Sequence, residues 1–200
     1  MAGLVESQID DVLVALRAFD HAAADRVRRN DQPINELFRR LQEELLQVMA
    51  AQQLGPEHLR TLMGVQYIAT ELERIGDYAV RIARRTQTLA GLPHDTLRPE
   101  FGLMGALASQ QVRDILDALI EEDSERAREV AAKDNEIDRL YNRVFDALID
   151  DMGRGTNAED ALRSVTLINV AHSLERIGDR VVNVAEDIIF LGSGAVVELD

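Results

Sequence analysis

The chain has 200 residues, 46% hydrophobic and 4% aromatic, with no cysteine, no tryptophan and a formal net charge of −14. That length can bury a core as one domain or two small ones, while the missing cysteine excludes disulfide scaffolds, thiolate zinc sites and cysteine nucleophiles. The charge disfavours nucleic acid and anionic lipid, no apolar run approaches the roughly 18 residues of a membrane helix, and the N-terminal stretch lacks a signal-peptide core. A cytoplasmic protein is therefore expected, contacting no nucleic acid and inserting into no membrane.

The pattern predicts helices throughout, and no strand signal rises anywhere. A first helix carries Val5, Ile9, Val12, Leu16 and Phe19. Asp20 stands where a carboxylate can cap a second helix, whose seam runs Val27, Asp31, Ile34, Phe38, Leu41, Leu45 and Val48. Gly55-Pro56-Glu57 opens a third, with Val65, Ile68, Leu72, Ile75, Ala79, Ile82 and Leu89 in a 3-4 period. Gly91 to Pro99, including His94 and Asp95, separates this group from a second one. There Ala108, Val112, Ile115 and Leu119 mark one helix, Asp123 the next cap, and Val130, Asp134, Ile137, Tyr141, Val144 and Leu148 the next seam. The chain breaks at Gly153-Arg154-Gly155-Thr156-Asn157. A last helix follows with Leu167, Val170, Leu174, Ile177, Val181, Val184, Ile188 and Leu191.

The second group repeats the first. Leu72-Glu73-Arg74-Ile75-Gly76-Asp77 recurs as Leu174-Glu175-Arg176-Ile177-Gly178-Asp179, 102 positions on, and Asp20 and Asp31 match Asp123 and Asp134 at 103. The expected fold is all-α: two tandem three-helix bundles related by internal duplication, over residues 1–90 and 100–192, with a linker at 91–99 and a tail at 193–200. About ten residues before Met104 have no counterpart upstream of Met1. A shortened first helix, exposing part of the first bundle's seam, is the expectation.

Several carboxylates break the pattern around them. Asp31 and Asp134 occupy seam positions, and each is followed four residues on by another oxygen donor, Asn35 and Asp138. Glu73 and Asp77 stand four apart beside the third seam, as do Glu175 and Asp179. An ionised carboxylate facing a seam costs several kcal/mol unless it is compensated. Gly76 and Gly178, each costing on the order of 1 kcal/mol inside a helix, lie within these pairs and leave room for ions or a close helix. An oxygen-only donor set suits hard cations: iron(III), manganese, magnesium or calcium, with zinc possible. Three plainer explanations compete with ions: intrahelical pairs such as Asp77 with Arg81, helix caps or kinks at Asp31 and Asp134, and tight packing at the glycines. His172 lies off the seam and has Thr70 as its twin.

The doubled Leu-Glu-Arg-Ile-Gly-Asp resembles the PhoU family, as do Asn183-Val184-Ala185-Glu186 and Asp134-Asn135-Glu136-Ile137-Asp138, and the resemblance covers nearly the whole chain. It implies two symmetric three-helix bundles whose E(D)xxxD motifs bind multinuclear metal clusters, with iron foremost and manganese, magnesium or zinc as substitutes. It implies a negative regulator of phosphate-starvation signalling, dimeric and without catalysis. Such a protein stands between the ATPase subunit of a phosphate ABC transporter and a sensor histidine kinase. By that resemblance the ligands are Asp31, Asn35, Glu73 and Asp77 in the first half and Asp134, Asp138, Glu175 and Asp179 in the second, with Asn183 one turn further. Arg81 stands at the position of Asn183, Arg84 at that of Glu186, and Pro33 inside the first pair. These departures predict a kinked second helix and a better-formed second site. A four-helix di-iron oxidase is disfavoured because no Glu-x-x-His occurs. A metal-independent acidic helical-bundle interaction module is the remaining alternative.

Overall fold

The computed structural model describes residues 1–93, 96–154 and 157–199. His94 and Asp95 of the linker, Gly155 and Thr156 of the second break, and Asp200 of the tail lie outside the described residues. The described residues form eight helices and no strand: α1 (Ala2–Ala18), α2 (His21–Arg29), α3 (Gln32–Ala51), α4 (Pro56–Ala90), α5 (Pro99–Glu121), α6 (Ser124–Ala131), α7 (Asp134–Arg154) and α8 (Ala158–Ser193). The all-α duplicated bundle is as expected, with one difference. The middle helix of each half is two helices, broken at Asn30-Asp31 and at Ala132-Lys133.

Proline is not the common cause of the break. Pro33 sits in the first turn of α3, but its counterpart in the second half is Glu136 and the chain breaks there too. Both breaks fall where a polar Asp-containing stretch crosses the seam, and short Asx side chains favour turns over helix interiors. Tightened three-residue bonds carry the chain across: Ile34 N–H to Asp31 O at 3.0 Å, Lys133 N–H to Val130 O at 3.1 Å and Glu136 N–H to Lys133 O at 3.1 Å. The break swings Asp31 and Asp134 to the head of the longer helix.

The entry to each middle helix is built twice in the same way. Asp20 accepts from the Ala22 and Ala23 N–H groups, and Asp123 from those of Glu125 and Arg126, at 2.8–3.0 Å. Those bonds hold Asp20 below the usual carboxylate range, the Ala23 N–H foremost. The residue before each cap, Phe19 or Glu122, ends its helix in the left-handed region at φ 49° and 54°.

The halves face each other across antiparallel pairs. Early α4 meets late α8, with Gly64 against Leu191 and Tyr67 beside Phe190. In the other pair Leu13 of α1 packs on Gly105 of α5, while Ser109 donates to Asp10 at 2.6 Å. Ile9, Leu16, Ile75, Ile82, Met104, Ile115, Leu174 and Ile177 fill the common core. α7 packs on both α5 and α8, whereas α3 rests mainly on α4. Accordingly Val48, expected in the seam, is exposed. α1 has 17 residues against 23 in α5, and Leu59, Met63 and Tyr67 near the head of α4 are exposed.

Candidate metal centre

Each site forms where the head of α3 or α7 leans on the Gly-containing turn of α4 or α8. In the second half, Asp134 and Asp138 project from α7 towards Glu175 and Asp179 on α8. Gly178 makes this possible: a Cβ there would collide with the Asp134 carboxylate. Burial pushes Asp134 up to about 7, with the charges of Asp138, Asp179 and Glu175 adding to it. Burial and then Asp179 push Glu175 up to about 6, and burial and then Asp179 raise Asp138. The four carboxylates thus share one electrostatic neighbourhood. Asp134, Asp138, Asp179, Asn183, Glu186 and Glu198 line one cavity of about 380 Å³.

The first half brings Asp31, Asn35, Glu73 and Asp77 together as well, but Asp31 is already satisfied. Asn35 donates to its Oδ2 at 2.7 Å, and Gln8 of α1 to its Oδ1 at 3.1 Å. Gly76 is the close-approach point, where a Cβ would lie 3.0 Å from Gln8 Oε1 and 3.5 Å from Asp31 Oδ1. Desolvation, then Asp77 and Asp31, raise Glu73; desolvation and then Asp31 raise Asp77. Asp77 and Arg81 form no contact ion pair, the Arg81 guanidinium lying 4.8 Å over the Tyr78 ring, although its charge and that of Arg84 still act to lower Asp77.

The donors of the second half fit a hard cation. Asp134 Oδ1 and Glu175 Oε2 are buried without a hydrogen-bond partner, and such orphans are costly unless an ion or water meets them. Among the described residues, though, no group of three or more His, Cys, Asp or Glu side chains is placed to hold a metal ion as it stands. Arg176 stands where a cation would be, 2.8 Å from Asp179 Oδ2 and 3.3 Å from Glu175 Oε2. Its Nε also donates to His172 Nε2 at 3.2 Å, and burial and then this guanidinium lower His172. Binding an ion there requires Arg176 to swing away.

Asn183 lines the cavity, but its amide donates to Glu71 Oε2 across the repeats at 3.2 Å. Glu71 is 7% exposed and also takes Arg180 at 3.0 Å and Arg74 at 2.8 Å. Sequence reasoning missed this anchor, two of whose three partners lie more than a hundred positions away. It missed two glutamines as well. Gln8 and Gln111 stand 103 positions apart, the offset of the repeat, and are 3% and 2% exposed. Both polar atoms of Gln111 lack a partner.

Residues 1–86 and 101–188 match the PhoU domain family. The chain is 33% identical over 201 residues to a "Phosphate-specific transport system accessory protein PhoU homolog" of Clostridium acetobutylicum, covering all of this chain and 91% of that one. To the homolog of the same description from Pseudomonas putida it is 35% identical, over 97% of this chain and 75% of the other. Among solved structures, PhoU from Pseudomonas aeruginosa superposes with a TM-score of 0.91 at 34% identity, covering 98% of this chain and 93% of that one. The phosphate transport system regulatory protein PhoU from Streptococcus pneumoniae shares the fold, with a TM-score of 0.89 at 24% identity over 99% and 92% of the two chains. With both repeats matched and the similarity running from end to end, the chain belongs to the PhoU family.

Proposed function

We propose that this chain is an accessory protein of phosphate-specific transport, a non-catalytic cytoplasmic regulator that binds hard cations through its carboxylate faces. The names of its relatives support the transport assignment. The cation reading is carried by one observation: four carboxylates converge in the second half around Asp134, whose buried Oδ1 no protein group satisfies. Ions held as a multinuclear cluster by Asp134, Asp138, Glu175 and Asp179, iron foremost, would neutralise that face. The first site, by Asp31, Asn35, Glu73 and Asp77, is the weaker of the two, because Gln8 and Asn35 already occupy Asp31. The partners in this reading are the ATPase subunit of the transporter and a sensor histidine kinase, bridged by a homodimer of this chain. No helix among the described residues is long and apolar enough to cross a membrane.

Replacing Glu175 and Asp179 together by alanine should lower the metal found in protein purified without chelator and derepress phosphate-uptake genes. Unchanged repression with the metal gone would sink the cluster's regulatory role. The metal-independent interaction module keeps a specific observation in its favour, the Arg176 guanidinium already paired with both carboxylates. A thermal melt unmoved by chelator would favour it, because a ligand bound only by the native state must raise stability.

A further inference from the structure

The chain does not end its structure at α8. Gly194 closes that helix in the left-handed region at φ 75°, and Arg60 packs so closely that a Cβ on Gly194 would meet its Nη1 at 2.6 Å. The backbone then turns back along the helix it has just left. Leu199 packs on the hydrophobic core, and its N–H donates to Glu186 Oε1 at 2.8 Å. The lengths agree: five extended residues reach at most about 17 Å, and the eight helical positions from Glu186 to Gly194 span about 12 Å. The segment therefore comes to rest over the second carboxylate site, where Glu198 and Leu199 line the same cavity as Asp134, Asp138 and Asp179.

We propose that segment 194–199 is a strap belonging to this site, which delivers Glu198 as a further oxygen donor and couples cation binding to strap docking. The inference rests on the cation reading above. Its physical core is a conflict of charges. Asp134, Asp138, Asp179, Glu186 and Glu198 line the cavity with a single guanidinium, Arg180, and that group is engaged by Glu71. Without a cation, docking brings another negative charge to a face that already carries more carboxylates than guanidinium groups, Arg176 being paired with Asp179 and Glu175, and what holds the segment down is Leu199 burial, its hydrogen bond and the Arg60 contact at Gly194. With a cation in place, the same carboxylate is attracted. Each event must then favour the other by the same factor. Among the described residues the second half alone has this device: α4 is capped at Gly91, and Arg84 stands where the strap's anchor Glu186 would be.

The test uses the full chain stripped with chelator and titrated with Mn²⁺ by equilibrium dialysis. Glu198→Gln removes the donor charge, and Leu199→Pro removes the N–H that anchors the strap. Because the chain has no cysteine, Val196→Cys at an 88% exposed position accepts a single dye whose anisotropy reads the strap's freedom. The expected result is that both variants weaken the tighter class of Mn²⁺ sites about tenfold. Mn²⁺ should also raise the anisotropy at position 196 unless Leu199→Pro is present. Wild-type binding by both variants overturns the strap and leaves the cation site standing. An unmodified chain that binds no Mn²⁺ overturns both.

Discussion

Gln8 and Gln111 hold the same position on the first helix of each repeat, yet Gln8 donates to Asp31 at 3.1 Å while neither polar atom of Gln111 has a partner. The duplication has put a buried amide at the same point of both repeats, and only in the first does its nitrogen meet a carboxylate. An orphaned buried amide costs about 1–3 kcal/mol, whereas an apolar group of similar shape costs nothing of the kind. In chelator, Gln111→Leu should therefore raise the melting temperature, by the equivalent of about 1 kcal/mol. Gln8→Leu should lower it by stripping Asp31 of a donor. Equal destabilisation by the two substitutions would show that Gln111 has a protein partner after all.

The two glycines should respond differently to alanine. In a helix this change gains about 1 kcal/mol from propensity alone. At Gly76 the new methyl meets the movable amide end of Gln8, so stability should stay within about 1 kcal/mol of the parent. At Gly178 it meets the Asp134 carboxylate, which must leave its place. Gly178→Ala should thus cost most of the Mn²⁺ bound by the second half, with Gly76→Ala as the control in the same dialysis.

Asp187, beside Glu186 of the second cavity, offers a further pH signature. Burial pushes it up to about 7, with Glu71 and Glu186 adding to the shift. A raised carboxyl pKa means that the folded protein holds the proton more tightly than the unfolded chain. Its burden on stability is therefore full above the folded value and is relieved as pH falls through about 7 towards the unfolded value near 3.8. Asp187→Asn should stabilise the protein at pH 8 in chelator, and the gain over the parent should narrow by pH 6. A gain that does not depend on pH would refute the assignment.

Glu122 is exposed and holds a left-handed backbone that costs an ordinary residue about 1–2 kcal/mol. Glu122→Gly should raise the denaturation midpoint by about 1 kcal/mol. Phe19→Gly should lower it, because the Phe19 ring packs on the core.

Much of the fold was legible because the evidence for it is local or repeated. The recurring hexapeptide marks the duplication, the 3-4 periods mark the long helices, and Asp20 and Asp123 mark the caps. The breaks between α2 and α3 and between α6 and α7 were hidden, since Val27, Asp31 and Ile34 keep their spacing straight through the turn. Of the sites, the carboxylates were legible as charges misplaced in an apolar pattern. Glu71 was not, because its partners Arg180 and Asn183 arrive from the other repeat and leave no trace nearby. Gln111 could have been found: its recurrence at the repeat's own offset was visible, although a single glutamine beside a seam attracts no notice. The strap has no periodicity to read, and its place depends on the reversal at Gly194.

The bonds that Arg180 and Asn183 donate to Glu71 also say what the halves cannot do. Their counterparts in the opposite repeat are Ser173, Tyr78 and Arg81, so the interface between the repeats is not two-fold symmetric here. Two copies of residues 100–192 joined through the α8 surface would bury Arg180 and Asn183 opposite Ser173, with no carboxylate to receive them. Each half has become a lock cut for the other half's key, and the second half alone lacks the partner its own surface requires.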